Sequence, residues 1–168
     1  EIVNVINGAP RNQWFRPSDV CVAPDGSLVV ADWYDPGVGG HRMQDIQRGR
    51  LFRVTKKGSS SEYHCPPVDI SNLQGASRAL KSPNQATRFL GWQALMKQPE
   101  QSLSGLESIW DSGNPHWQAR ALWLVSKMPL DHKIQKRWLK RAMEHSRPEL
   151  RATAVRIIQQ SEKPELAS

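Results

Sequence analysis

Apolar and polar positions alternate along the first third of the chain, with the period of two that is typical of β-strands. Val20 and Val22 fall on one face of such a strand, and Asp19 and Cys21 fall on the other. A tight turn follows, in which Gly26 is free to adopt a positive φ. The predicted strands, counting the opening segment, are residues 2–6, 18–23, 28–31 and 51–55.

The order strand, turn, strand, long loop, strand is that of one blade of a β-propeller. A single four-stranded sheet with two exposed faces buries too little apolar surface to be stable alone. The chain also opens directly on a strand-like segment, without an initiator Met. We therefore expect residues 1–57 to form one blade of a longer protein and to pack against the remainder of its propeller.

The period of the apolar positions changes from two to about 3.6 after a linker at residues 58–68, which is rich in Ser, Gly and Pro. Ser82, Asn114 and Asp131 are predicted helix N-caps, and a proline follows each of the first two. Gly113 is expected to end a helix. The rest of the chain therefore reads as a series of amphipathic helices.

Two residue types recur at a nearly constant interval among these helices. Pro83, Pro115 and Pro148 are separated by 32 and 33 residues. The recurring arginines are Arg88, Arg120 and Arg151. A period of about 30–45 residues with two helices per unit is typical of an α-solenoid. The alternative is three unrelated helices that begin with Pro because Pro suits that position.

Together these patterns predict an α+β protein with segregated segments. One antiparallel β-propeller blade is expected at residues 1–57, a linker at 58–68 and an α-helical HEAT-like solenoid at 69–168. The composition, 38% hydrophobic and 23% charged, excludes global disorder. No apolar run approaches the ~20 residues that a membrane-spanning helix needs.

The net charge of +7 is concentrated in the second half, since residues 1–80 contribute +1 and residues 81–168 contribute +6. Five cations at helical spacing form one basic stripe: Lys133, Lys136, Arg137, Lys140 and Arg141. Such a stripe fits an acidic protein surface or the phosphate backbone of a nucleic acid. The alternative is that the stripe is simply a solvated face, because the exposed side of a helix is usually charged.

The two cysteines, Cys21 and Cys65, belong to no metal-binding or redox motif. His64 precedes Cys65, but the upstream cysteine of a haem-attachment C-x-x-C-H motif is missing. A disulfide between the two would require an exported protein. Two unrelated thiols are the alternative.

Several motifs in the first half resemble one bacterial protein family. WFRPSDV (14–20), APDGSL (23–28), ADWYDPGVGGH (31–41) and RGRLFRV (48–54) are similar to the last propeller blade of the large membrane-bound dehydrogenase-like proteins of planctomycetes. Their propeller is in turn similar to glucose and sorbosone dehydrogenases. Residues 69–95 resemble the junction of these proteins into HEAT-like repeats.

The resemblance implies a C-terminal part of an exported propeller oxidoreductase, found in the periplasm or at the cell surface. Sugar dehydrogenases similar to the family use pyrroloquinoline quinone with calcium, and full-length relatives often carry a c-type haem domain. The resemblance leaves the identity of the cofactor of this chain open. We expect the blade to form part of a substrate or cofactor site and the repeats to hold a protein partner or an electron acceptor. The chain alone is not expected to catalyse.

The candidate site residues lie mainly in the loop at residues 32–49. In a propeller this loop shares a face with the loop that enters the first strand. Asp32 and Asp35 offer oxygen ligands to a hard cation, and His41 is the candidate acid or base. The candidates for binding an anionic or quinone cofactor are Arg16, Trp33 and Tyr34.

The alternative for this loop is structural. Asp32 and Asp35 would hydrogen-bond backbone amides and close the blade, while Trp33 and Tyr34 would pack. The spacing of the carboxylates matches no EF-hand or zinc pattern. Three function classes therefore stay open: an oxidoreductase fragment, a non-catalytic binding scaffold, and a basic solenoid that binds nucleic acid.

Overall fold

The computed structural model describes residues 5–7, 15–33, 49–59 and 62–161. Within these ranges the protein is mixed α+β, with a small antiparallel sheet followed by six helices. The chain divides into two compact units, residues 1–66 and residues 67–168. The division falls inside the segment that the sequence predicts as a linker.

The described part of the first unit is a three-stranded sheet in the order β1–β2–β3, with both strand pairs antiparallel. The strands are β1 (Pro17–Val22), β2 (Leu28–Asp32) and β3 (Arg50–Val54). The predicted turn between β1 and β2 is confirmed, since Gly26 has a φ of 87°. The Gly26 amide donates to the carbonyl of Ala23 at 2.8 Å, which closes the turn.

Of the fourth strand predicted at residues 2–6, the structure describes only the last two residues. Val5 and Ile6 lie outside any strand, and Val5 is exposed. Residues 2–4 lie outside the described residues. The four-stranded blade is thus not completed within the described part of the chain.

One face of the sheet is apolar on all three strands. Its six residues, here called the apolar face, are Val20, Val22, Leu28, Val30, Phe52 and Val54. Val30 on the central strand is 5% exposed, whereas Val20 is 58% and Val22 is 44% exposed. Phe15 packs edge-on against Phe52, with ring centroids 5.6 Å apart. The β1 side of this face therefore leaves valine side chains in contact with solvent.

The second unit is helical. Its helices are α1 (Leu73–Leu80), α2 (Gln85–Met96), α3 (Pro99–Asp111), α4 (Pro115–Lys127), α5 (His132–Met143) and α6 (Pro148–Gln159). The side chains of Asn114 and Asp131 cap α4 and α5 as predicted. The prediction that Ser82 caps the second helix is wrong. Asn84 caps α2 and accepts from the Thr87 amide at 2.9 Å.

The displaced cap of α2 has a local cause. Pro83 favours an extended Ser82, as Pro115 does for Asn114, but it is the Asn84 side chain that bonds the Thr87 amide, so α2 begins after Asn84. Asn84 adopts the extended backbone of a cap, with φ −78° and ψ 130°. The Ser82 hydroxyl instead accepts the Asn84 amide at 3.1 Å and supports the cap from outside.

Each of the five turns between successive described helices is hydrogen-bonded to a side chain from a later helix. In chain order these side chains are Arg88 and Arg120, Ser102, Gln118, Gln135 and Arg151. Gln135 is 1% exposed, and its Nε2 lies 2.9–3.1 Å from three carbonyl oxygens at the end of α4. These contacts satisfy carbonyl groups that a helix end leaves without an intrahelical partner.

The recurring arginines of the sequence are among these turn-closing side chains. Arg120 donates to the carbonyls of Leu80 and Ser82 at 3.2 Å, and Arg88 donates to the same Ser82 carbonyl at 3.1 Å. Burial lowers the pKa of Arg120, and the neighbouring Arg88 lowers it further. Arg151 makes the corresponding contacts in the turn before α6. Arg88 and Arg151 thus bond the turn just before their own helix, whereas Arg120 reaches from α4 to the turn between α1 and α2.

Consecutive helices pack on one another around a common core. α1 packs against α2 and α3, and α4 packs against α3, α5 and α6. Trp110 and Trp138 meet edge-on in this core at 5.4 Å between ring centroids and are 3% and 1% exposed. Both tryptophans are therefore core residues of the helical unit. Gly91 lets α2 approach α1 closely, because a Cβ there would lie 2.7 Å from the Ala76 carbonyl oxygen.

Candidate functional site

The segment that enters β1 and the end of β2 lie together, because β1 and β2 are antiparallel neighbours with Pro17 opposite Asp32. The Trp33 amide donates to the Arg16 carbonyl at 3.0 Å, and the Arg16 amide donates to Asp32 Oδ1 at 2.7 Å. We call Arg16, Asp32 and Trp33 the strand-end cluster. Trp33 is 63% exposed and Arg16 is also exposed. The cluster therefore presents an aromatic ring and a cation at one end of the sheet.

Asp32 is the buried centre of the strand-end cluster. Its side chain is fully buried, and its Oδ2 accepts from Arg50 Nε on β3 at 2.9 Å. With Oδ1 bonded to the Arg16 amide, one carboxylate joins β2, β3 and the segment before β1. A buried carboxylate is stable only when paired and hydrogen-bonded in this way. These contacts are those of the structural alternative for Asp32.

Asp32 in this arrangement does not fit a calcium ligand. Both of its oxygens already accept hydrogen bonds, and calcium requires six to eight oxygen ligands around it. Among the described residues, no three or more His, Cys, Asp and Glu side chains form a group that could hold a metal ion. We therefore derive no metal-dependent step from Asp32.

Three further candidates, Tyr34, Asp35 and His41, lie outside the described residues. Their predicted roles in cofactor binding, metal binding and acid–base chemistry stay predictions. Of the six candidates, the structure thus brings together Arg16, Asp32 and Trp33.

A second charged cluster holds the β1–β2 turn against β3. Asp25 accepts from the hydroxyl and the amide of Ser27 at 2.6 and 2.9 Å, and from Arg53 Nη2 at 2.6 Å. The bonds from Ser27, and then the one from Arg53, lower the pKa of Asp25 to about 2. The Arg53 guanidinium also lies 5.4 Å from the ring centroid of Tyr63. Partial burial and a hydrogen bond with Cys65 raise the pKa of that tyrosine.

The basic stripe on α5 is partly neutralised by carboxylates of α3. Arg141 contacts Glu107 at 2.6 Å and Asp111 at 2.7 Å, and its guanidinium lies 5.1 Å from the centroid of the Trp110 ring. Arg137 also lies 3.5 Å from Glu107. Affinity for a phosphate backbone grows with the number of cations that neutralise phosphates. The pairing therefore favours the solvated-face alternative over nucleic acid binding.

Two arginines that organise the sheet, Arg50 and Arg53, were not predicted from the sequence. Each pairs with a carboxylate on or beside β2, and Arg50 stands directly opposite Asp32 in the strand register. Opposite charges at cross-strand positions are the signal that could reveal them. That signal needs the strand register, which the sequence does not give because β2 and β3 lie far apart along the chain.

No protein family model, curated protein or solved structure matches the chain. The resemblance to propeller dehydrogenases therefore enters the functional argument as a proposal. None of the helices in the described residues is long and apolar enough to cross a membrane.

Proposed function

We propose that the sheet serves as one blade of a β-propeller, in which its strand-end cluster forms part of the wall of a ligand site. The single observation that carries this proposal is the apolar face, whose edge valines Val20 and Val22 remain 58% and 44% exposed. The opposite face adds Leu51, which is 76% exposed. A sheet with apolar residues exposed on both faces is suited to packing between two other sheets.

Burial against a neighbouring sheet offers a clear gain in stability. Fully burying a Val or Leu side chain contributes about 1.5–3 kcal/mol relative to leaving it exposed. The central strand β2 is already half-buried or buried, whereas all six residues of β1 are exposed. The interaction with sister blades would therefore act mainly on β1 and on Leu51 of β3.

The substrate class that we propose is a sugar or an alcohol, oxidised by an exported propeller enzyme. This follows the resemblance to sugar dehydrogenases and has support from the strand-end cluster. The exposed Trp33 ring offers an apolar surface, and the exposed Arg16 offers a cation for an anionic substrate or cofactor group. Both side chains bind rather than react. In this proposal the chain supplies binding surface to a larger active assembly.

Cysteine alkylation tests the blade assignment. Cys21 lies on β1 and is exposed, and Cys65, also exposed, is an internal control in the connecting segment. The experiment compares the purified 168-residue chain with the product of the entire reading frame that encodes it. We expect Cys21 to react at least about tenfold more slowly in the product of the entire reading frame, because a covered thiol reacts only when the structure opens locally. Equal rates at Cys21 in both polypeptides would contradict the proposal.

A dye-linked oxidation assay on the product of the entire reading frame tests the ligand-site role. Trp33→Ala should raise KM for an aldose or alcohol substrate with little change in kcat, and Trp33→Phe should restore most of the affinity. Trp92→Phe in the helical core serves as the matched control. A wild-type product that oxidises no sugar or alcohol would rule out the dehydrogenase role and favour the scaffold alternative.

A further inference from the structure

A groove with a volume of about 680 Å³ lies between α1 and α3 in the helical unit. Its lining contains amides, hydroxyls and two cations but no carboxylate. The polar side chains along the walls are Gln74, Arg78, Lys81, Gln101, Ser104 and Ser108. On α3 the lining positions recur at helical spacing, so one continuous polar face of that helix borders the groove. Such a lining is suited to a ligand rich in hydrogen-bond acceptors.

The Ser77 hydroxyl lies in this groove without a partner. Its Oγ is buried and finds no hydrogen-bond partner among the described residues. Gly105 faces it from α3, and a Cβ at that position would lie 2.6 Å from Ser77 Oγ. The missing side chain at Gly105 therefore makes the space that the Ser77 hydroxyl occupies between the two helices. Because protein covers this hydroxyl, the donors that the groove offers to a ligand are the side chains on its walls.

The two cations give the groove its charge preference. Arg78 on α1 and Lys81, the residue that follows α1, are three positions apart and both line the groove. The Lys81 ammonium lies 5.3 Å from the centroid of the Trp117 ring, which orients it. Arg78 also contributes to lowering the pKa of Asp69, after the larger effect of hydrogen bonds from Ser71. Arg78 therefore acts on Asp69 and also lines the groove.

We propose that the groove between α1 and α3 binds an acidic polypeptide segment. Its carboxylates would accept from Arg78 and Lys81, and the Gln and Ser side chains along the walls would pair with its backbone. A phosphate backbone fits less well, because its binding depends on many cations and this groove offers two. The proposal rests on the helical unit alone, so its failure leaves the proposed function of the sheet unaffected.

Amide-resolved NMR of the full chain tests this proposal. The probe is a peptide of alternating Glu and Ser, and the control is a peptide of alternating Gln and Ser. We expect shifts confined to α1 and α3 with the Glu peptide only. The double variant Arg78→Gln/Lys81→Gln should weaken binding about tenfold or more, which corresponds to about 1.4 kcal/mol. The matched control, Lys133→Gln/Lys136→Gln on α5, should bind as the wild type does.

A second variant separates binding from folding. Ser77→Ala removes the unpaired buried hydroxyl, so it should raise the midpoint of urea unfolding and leave binding of the Glu peptide unchanged. No shifts in α1 and α3 at millimolar Glu peptide would overturn the proposal. Equal binding of the Gln peptide, or shifts centred on α5, would also overturn it. Tighter binding of a short DNA duplex in the same groove would replace the acidic polypeptide with a nucleic acid.

Discussion

Single polar side chains close the helix ends of this protein, at positions where the backbone cannot pair with itself. Gln118 donates to the Trp110 carbonyl at 2.9 Å, and Gln135 donates to carbonyls at the end of α4. Both glutamines are almost fully buried, with exposures of 3% and 1%. A buried carbonyl that loses its donor is costly, so these residues fix how successive helices turn.

Replacing Gln135 tests this role. Gln135→Leu keeps a similar size and helix propensity but leaves carbonyls of α4 without their donor. We expect the free energy of unfolding to fall by about 1–3 kcal/mol, as measured by urea denaturation. The matched control is Gln85→Leu on the exposed side of α2, which should change stability by less than about 0.5 kcal/mol. Equal effects of the two substitutions would argue against a turn-closing role.

Asp25 provides a prediction on pH dependence. Its pKa in the folded protein is lowered to about 2, so the ionised carboxylate stabilises the folded state. That contribution is complete above the pKa of the unfolded carboxyl, about 3.9, and is lost as the pH falls towards about 2. Ser27→Ala should raise the titration midpoint of Asp25 in carbon NMR more than Arg53→Gln does, because Ser27 is the larger cause. A wild-type midpoint at the ordinary value would contradict this account.

Residue roles were predictable where they depend on neighbours in the sequence. Asn114 and Asp131 were identified as helix caps, because a cap bonds to amides two or three residues ahead. Gln135 was not, since its partners lie seven to ten residues away in a turn whose shape is set by packing. The structural alternative for Asp32 included a bond to a backbone amide, which Arg16 donates, but not the pairing with Arg50, which lies 18 residues away.

At the scale of elements, one glycine sets the distance between two helices. A Cβ on Gly91 would lie 2.7 Å from the Ala76 carbonyl oxygen and 2.8 Å from the Leu80 amide nitrogen, both in the backbone of α1. Backbone atoms cannot rotate away as a side chain can. The close contact between α1 and α2 therefore depends on the missing side chain.

Gly91→Ala should destabilise the helical unit by about 1–3 kcal/mol, although alanine is the better helix former by about 1 kcal/mol. Gly105→Ala is the matched comparison, since its Cβ would meet only the Ser77 hydroxyl, which can rotate. We expect the Gly105→Ala variant to lose much less stability or none. Urea denaturation of both variants measures the difference. A similar loss in both would indicate that stability does not depend on the close contact between α1 and α2.

Element boundaries followed the hydrophobic pattern closely, and the exceptions have physical causes. The three described strands lie within one residue of their predicted limits, because strand alternation and Gly26 are local signals. The opening segment also alternates, yet Val5 and Ile6 are not in a strand. A strand forms only where it can pair with the edge of another strand, and the alternation of apolar and polar residues does not show whether such an edge is present.

At the scale of the whole molecule, the two units differ in how much core they possess. In the described part of unit 1, the buried hydrophobic residues are Ala23 and Val30. The other buried hydrophobic residues all belong to the helical unit, where Leu95, Leu106 and Leu124 are completely buried. Stability should therefore be distributed unevenly, since local opening is easiest where few apolar contacts resist it.

Hydrogen exchange on the intact chain measures this distribution. Amides of α4, whose central residues are fully buried, should exchange only through global unfolding of the helical unit. Amides of β1 and β3 that pair with β2 should exchange much faster, because opening this sheet exposes little additional apolar surface. In the product of the entire reading frame, the same β1 amides should become strongly protected, since a neighbouring blade would cover Val20 and Val22. If β1 amides of the isolated chain were protected as strongly as those of α4, the sheet would be stable alone. That result would contradict the assignment of the sheet as a propeller blade.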